Sequence, residues 1–209
     1  MEGSLRDRAG TAPGLAALIS VMVGCSVGSG EGTARGAVTA PECDLSASPY
    51  DLQPTFFAAE EVEGQLRIRV QRGSDFEDKS DGLVVLLRDA SDLHRNHLGE
   101  AIDLAEEASK PGGGAVAFTL YLNETCPVVR TDVPAVFQAV SGTITFEAVY
   151  APAVSEGTRI EASFEDLVLY DVPFGADVGE EPGVPDRSAT LEGDFGFFYS
   201  RGRPAQRFP

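Results

Sequence analysis

The chain has 209 residues, of which 43% are hydrophobic and 23% are charged, a composition that supports one sizeable hydrophobic core. Acidic residues outnumber basic residues 33 to 16, which gives a formal net charge of -17 at pH 7. Because such a chain repels phosphate backbones, we exclude nucleic acid as an expected partner and attribute the acidity to a well-solvated surface.

The first 24 residues are arranged like a signal peptide. Arg6 and Arg8 supply positive charge near the start, and an apolar stretch covers residues 12–23, shortly before Cys25. A membrane-spanning helix needs about 20 apolar residues, so this shorter stretch favours cleavage after Gly24 over a permanent transmembrane anchor.

The segment Met22-Val23-Gly24-Cys25 resembles the lipobox of bacterial lipoproteins, whose cysteine becomes the lipidated first residue of the mature chain. Met22 stands where this family usually has leucine. The resemblance implies that Cys25 carries more than one acyl chain, which is enough for stable membrane anchoring. Ser26 implies sorting to the outer membrane, because the aspartate typical of retained lipoproteins is missing. The alternative is a buried or free cysteine at the end of an uncleaved helix.

The cysteine count is consistent with this resemblance. Three cysteines leave one unpaired in an oxidising compartment. If Cys25 is lipidated, Cys43 and Cys126 remain as a natural disulfide pair, whose long loop would contribute about 4 to 5 kcal/mol in the entropic model. The alternative is two buried free thiols.

The segment after the predicted cleavage site is rich in Gly, Ser, Ala and Thr and has few large apolar residues. We therefore predict a lipidated N-terminus and flexible tether over residues 25–42, followed by a folded domain over residues 43–209. Within that domain, residues 173–187 are acidic and rich in Gly and Pro, which indicates a long binding or mobile loop.

Apolar and polar residues alternate in several short runs of the predicted domain, as in antiparallel strands. In Gln65–Gln71, for example, every second residue is apolar, so one face meets a core and the other meets water. In Thr158–Asp171 the apolar residues change face, which predicts a bulge near Asp166. The predicted strands are Pro54–Ala59, Gln65–Gln71, Leu83–Leu87, Val116–Asn123, Thr143–Tyr150, Thr158–Asp171 and Leu191–Tyr199.

This pattern predicts an all-β fold, an antiparallel β-sandwich of about seven or eight strands. The helical candidate is His97–Ala108, for which a loop is the alternative, so we expect at most one short helix. We expect Leu83–Leu87, which is apolar throughout, to lie centrally with both faces covered. The segments at residues 141–146 and 159–164 are loosely similar to β segments of many bacterial envelope lipoproteins, a likeness that carries no catalytic residue.

Residues 24–28 match the Gly-x-Ser-x-Gly pattern of a nucleophile elbow. That motif needs a strand before it and a helix after it, whereas this copy follows a signal peptide, so we expect no catalysis there. His94 and His97 would share one face of a helix and bind a metal. The chain has no third histidine, and two surface histidines are the favoured interpretation.

A cluster of acidic residues lies between two predicted strands and offers the hard oxygen ligands that calcium prefers. Its members are Asp75, Glu77, Asp78 and Asp81. Because Lys79 occupies a position where the helix-loop-helix calcium pattern needs a ligand, we favour a solvated turn.

We predict no catalytic, cofactor-binding or metal-binding residue, and no enzymatic activity. The first functional hypothesis is a membrane-anchored lipoprotein of the bacterial cell envelope, whose β domain binds or supports an unknown envelope or extracellular partner. The alternatives are a secreted hydrolase acting through paired carboxylates and a calcium-stabilised surface adhesion module. Arg201, Arg203 and Arg207 form a small basic tail, interpreted as a solvated end, with an intramolecular or envelope contact as the alternative.

Overall fold

The computed structural model describes residues 26–62, 64–73, 77–127, 135–151, 154, 157–171 and 186–199. Within these residues eleven strands form one sheet in which every pairing is antiparallel, so the predicted all-β antiparallel class is confirmed. The strands are β1 (Ser26–Gly28), β2 (Gly30–Ala40), β3 (Leu45–Leu52), β4 (Phe56–Val62), β5 (Gln65–Gln71), β6 (Asp81–Leu87), β7 (Ala101–Asp103), β8 (Val116–Leu122), β9 (Val136–Ala148), β10 (Arg159–Asp171) and β11 (Ser188–Phe198).

The sheet is curled into a half-barrel and does not divide clearly into the two layers of a sandwich. Its order is β1-β4-β5-β6-β8-β9-β10-β11-β2-β3, and β7 pairs with β9 away from this path. β1 and β2 are consecutive in the chain, yet β1 pairs with β4 and β2 pairs with β11. One continuous segment therefore borders strands that lie far apart in the order of the sheet.

Large aromatic side chains fill the concave side of this sheet. The rings of Phe118 in β8 and Phe164 in β10 lie 5.0 Å apart between centroids, and those of Phe57 in β4 and Phe197 in β11 lie 5.7 Å apart. All four side chains are almost completely buried, and full burial of such a side chain stabilises the fold by about 1.5–3 kcal/mol. These contacts between non-neighbouring strands hold the curl of the sheet.

Two detailed strand predictions are confirmed. β5 spans Gln65–Gln71, and its alternate apolar residues are buried as predicted. The predicted bulge is also present, because the pairing register of β10 shifts between Phe164 and Leu167, and Asp166 adopts a φ of 53°. β6 is central between β5 and β8, but its residues Val84 and Leu86 are only half-buried, so its outer face is less covered than expected.

The predicted tether over residues 25–42 is wrong, because Gly30–Ala40 forms β2 between β11 and β3. Small residues are required there by the close approach of neighbouring backbones. A Cβ at Gly36 would lie only 1.7 Å from the carbonyl oxygen of Thr190. The described part of the domain therefore begins at Ser26 rather than at Cys43, and three strands precede the expected first strand at 54–59.

The expectation of at most one short helix is also wrong, because the described residues include α1 (Ala90–Asn96) and α2 (Leu104–Ser109). Asp89 caps α1 by accepting a hydrogen bond from the amide of Asp92, and Asp103 caps α2 in the same way. The predicted helix at 97–108 is interrupted because β7 pairs with β9 in its middle. In the described part of the chain, no helix has the length and apolar character needed to cross a membrane.

Candidate functional site

The predicted disulfide is confirmed. Cys43 and Cys126 are bonded, with their Cα atoms 5.5 Å apart. Cys43 ends the 3₁₀ turn Pro41–Cys43 after β2, and Cys126 follows β8, so the bond ties two distant parts of the sheet together. Both side chains are buried, which gives the bond a structural role. Cys25, the predicted lipidation site, lies outside the described residues.

The two histidines do not converge on a metal position. His94 Nδ1 lies 2.8 Å from the carbonyl oxygen of Val149, whereas His97 Nδ1 lies 2.8 Å from a carboxylate oxygen of Glu100. The hydrogen bond with Glu100 raises the pKa of the exposed His97. Within the described ranges, the cluster with metal-ligand geometry consists of Glu42, Cys43 and Cys126, and the cysteines are bonded to each other.

Arginine side chains contact the described carboxylates of the predicted calcium cluster. Glu77 lies 3.0 Å from Arg67 and 3.4 Å from Arg69, measured from carboxylate oxygen to guanidinium nitrogen. Asp81 is fully buried and accepts a hydrogen bond of 2.8 Å from Arg72. The structure does not describe Asp75 or the side chain of Asp78. Glu77 and Asp81 are therefore held by arginine instead of facing an open cation position.

Asp81 is the centre of a buried polar network at one end of the sheet. Its carboxylate also accepts hydrogen bonds from the backbone amides of Glu124 and Thr125, each at 2.9 Å. The hydroxyl of Tyr50 is buried without a hydrogen-bond partner among the described atoms. Burial, reinforced by the nearby negative charge of Asp81, raises the pKa of this tyrosine. The hydrogen bonds of the network join Arg72 after β5, Asp81 of β6 and the turn after β8, so we assign it to stability.

A second charged group closes the base of the predicted acidic loop. Arg187 lies 2.6 Å from a carboxylate oxygen of Glu42 and 2.9 Å from one of Asp171. Burial raises the pKa of Asp171 although Arg187 opposes the shift. Most of the loop predicted at 173–187 lies outside the described residues, as does the arginine-containing segment 201–207.

The outer face of β9, β10, β11 and β2 carries an open groove of about 460 Å³. Gly196 of β11 lies in register with Glu161 of β10 on one side and with Glu31 of β2 on the other. Because Gly196 has no side chain, the surface between these two glutamates is low. A Cβ at Gly196 would make only ordinary contact with Glu161, so the space above this glycine is open. Among the residues that line the groove are Glu31, Glu147, Arg159, Glu161, Ser163, Asp194 and Phe198.

The groove combines negative charge with an exposed aromatic ring. Its lining includes four carboxylates and a single arginine, Arg159, which lies 2.7 Å from Glu161 and so is already neutralised. Asp194 accepts a hydrogen bond of 3.2 Å from the hydroxyl of Thr33. Phe198 is 59% exposed and lies in register with Arg159 at one end of the groove. The surface is thus suited to a ligand with positive charge and flat or apolar groups.

No protein-family model, curated protein or solved structure matches this chain. Sequence reasoning missed this site because its residues come from four strands, two of which were assigned to the wrong boundaries or to a tether. The available signal was Phe198, an aromatic residue at a predicted outward position of the last strand.

Proposed function

We propose that this chain is an envelope lipoprotein, anchored to the outer membrane through Cys25, whose non-enzymatic β domain binds a partner in the acidic groove. The observation that carries the anchoring proposal is the pairing of Cys43 with Cys126. It leaves Cys25 as the third cysteine of the chain, at the position that resembles a lipobox. The formation of a disulfide also supports an exported location.

The binding role is supported by the groove itself. Its glycine floor, exposed Phe198 and surplus of carboxylates serve no packing purpose on the outer face of the sheet. The calcium alternative has less support at the predicted acidic cluster. Glu77 is engaged by Arg67, and Asp81 by Arg72, so neither presents a free carboxylate to a cation.

Anchoring through Cys25 would hold the domain close to the membrane. β1 begins at Ser26, so no tether separates the lipidated residue from the sheet. Glu31 follows Cys25 by six positions in the sequence, and an extended chain of that length spans at most about 20 Å. The groove would therefore face a partner that is itself at or near the membrane surface.

The anchoring proposal is tested by intact mass and detergent partitioning of the wild-type protein and a Cys25→Ala variant expressed in a bacterium. We expect the wild type to lack residues 1–24, to carry added acyl mass and to partition into detergent, and the variant to lose the acyl mass. Density separation of the membranes then reports whether the protein resides in the outer membrane. Identical masses and retention of residues 1–24 in both proteins would contradict the proposal.

A further inference from the structure

We infer that the groove binds an extended, arginine-containing basic segment of a protein partner. This inference rests on the proposed binding role of the groove and specifies its ligand. Glu31, Glu147 and Asp194 give the groove a net negative charge after Arg159 has neutralised Glu161. The whole chain carries a formal charge of -17, so it attracts a basic partner at long range. At the groove, the carboxylates pair with the positive charges of that partner.

The dimensions of the groove favour an extended segment over a compact molecule. The groove crosses β9, β10, β11 and β2, and neighbouring strands lie about 4.8 Å apart, so its length is about 14 Å. Along this length, the positions of Glu161 and Glu31 are two strand spacings apart, about 10 Å, with Gly196 between them. A long basic side chain fits over this glycine with carboxylates on both sides.

Phe198 favours arginine over lysine as the basic residue. A guanidinium group is planar, so it stacks flat on an aromatic face and binds a carboxylate through two parallel hydrogen bonds, whereas an ammonium group acts as a point charge. Phe198 is the exposed large aromatic side chain of the groove, and its register partner Arg159 is turned toward Glu161. The ring is therefore open to a guanidinium group supplied by the partner.

The test uses the protein purified from the bacterium and a fluorescein-labelled peptide of alternating arginine, serine and glycine, and binding is followed by fluorescence anisotropy. Peptides with lysine or glutamate in place of arginine serve as ligand controls. The groove variant is Glu31→Gln with Glu147→Gln, which removes two charges and leaves the Arg159–Glu161 pair intact. The matched control is Glu165→Gln, an exposed acidic residue of β10 outside the groove.

We expect the groove variant to bind the arginine peptide about tenfold more weakly and Glu165→Gln to remain within about twofold of the wild type. Phe198→Ala is expected to weaken binding of the arginine peptide about fivefold and that of the lysine peptide less. Absence of wild-type binding, or equal losses in the groove and control variants, overturns the inference. Intact mass and detergent partitioning of the same preparations report anchoring separately, so a normal acyl mass without peptide binding overturns only this inference.

Discussion

The carboxylate of Asp81, which is fully buried, accepts a hydrogen bond of 2.8 Å from the guanidinium group of Arg72, which is partly exposed. The two residues flank the connection between β5 and β6, and the aspartate also holds the amides of Glu124 and Thr125 after β8. A single buried charge therefore fixes two turns at the same end of the sheet.

Replacement of Asp81 by Asn should lower the free energy of unfolding by about 3 kcal/mol. The change leaves the guanidinium group without its buried counter-charge and weakens two hydrogen bonds from backbone amides. Urea denaturation of the wild type and the variant measures the difference. Asp51→Asn, which disrupts an exposed pair with Arg35, is the control and should change stability by less than about 1 kcal/mol. Equal effects of the two substitutions would contradict the role of Asp81.

A second prediction follows from the close approach of β2 and β11. Gly36→Ala should destabilise the domain by about 3 kcal/mol, because its Cβ would lie 1.7 Å from the Thr190 carbonyl oxygen and force the strands apart. Gly157→Ala is the matched control, since nothing lies within 4 Å of the added methyl group. Thermal unfolding of both variants measures the difference. Wild-type stability of Gly36→Ala would show that these strands do not pair as described.

Loss of the disulfide should destabilise the domain more than the Asp81→Asn and Gly36→Ala substitutions do. Cys43 and Cys126 are 83 residues apart in sequence, and removal of a cross-link over a loop of this size should lower the free energy of unfolding by about 4 to 5 kcal/mol. The double variant Cys43→Ala with Cys126→Ala is compared with the wild type in urea, in the presence and absence of dithiothreitol. Dithiothreitol should lower the urea midpoint of the wild type only. Equal urea midpoints of the two proteins in the absence of dithiothreitol would refute the prediction.

Glu107 should make stability depend on pH in the acidic range. Burial alone would raise the pKa of this carboxyl, but hydrogen bonds from Lys110 and from the amides of Val116 and Ala115 outweigh it and lower the pKa. Because the pKa is lower in the folded state, ionised Glu107 stabilises the fold fully at pH values above its ordinary pKa of 4.5. This stabilisation is lost as the pH falls through the folded-state pKa.

Urea denaturation of Glu107→Gln and the wild type at pH values from 7 down into the acidic range tests whether Glu107 stabilises the fold in its ionised form. The variant should be less stable than the wild type at pH 7, by about 1–2 kcal/mol, and the difference should shrink on acidification. Glu106→Gln, at the exposed neighbouring position, should show no such convergence. A difference between Glu107→Gln and the wild type that stays constant with pH would contradict the assignment.

The sequence predicted those parts of the fold in which large apolar residues alternate. β5 and the bulge at Asp166 belong to this class, because burial of large side chains leaves a clear pattern with a period of two. β2 was missed because its buried residues include Ala34 and Ala40. The alternation of inward and outward residues is the same as in β5, but a segment of such small residues resembles a flexible linker in the sequence. The groove was missed because it depends on the order of strands, which local patterns do not encode.

The pairing of β2 with β11 also determines when this protein is able to fold. Thr33 and Asp194, which are hydrogen-bonded across these strands, lie 161 residues apart in sequence. Contacts of such separation are slow to form, because a long loop must close before the contact contributes any stability. The early-synthesised strand β2 therefore waits for β11, and the sheet cannot be completed until nearly the whole chain has been synthesised.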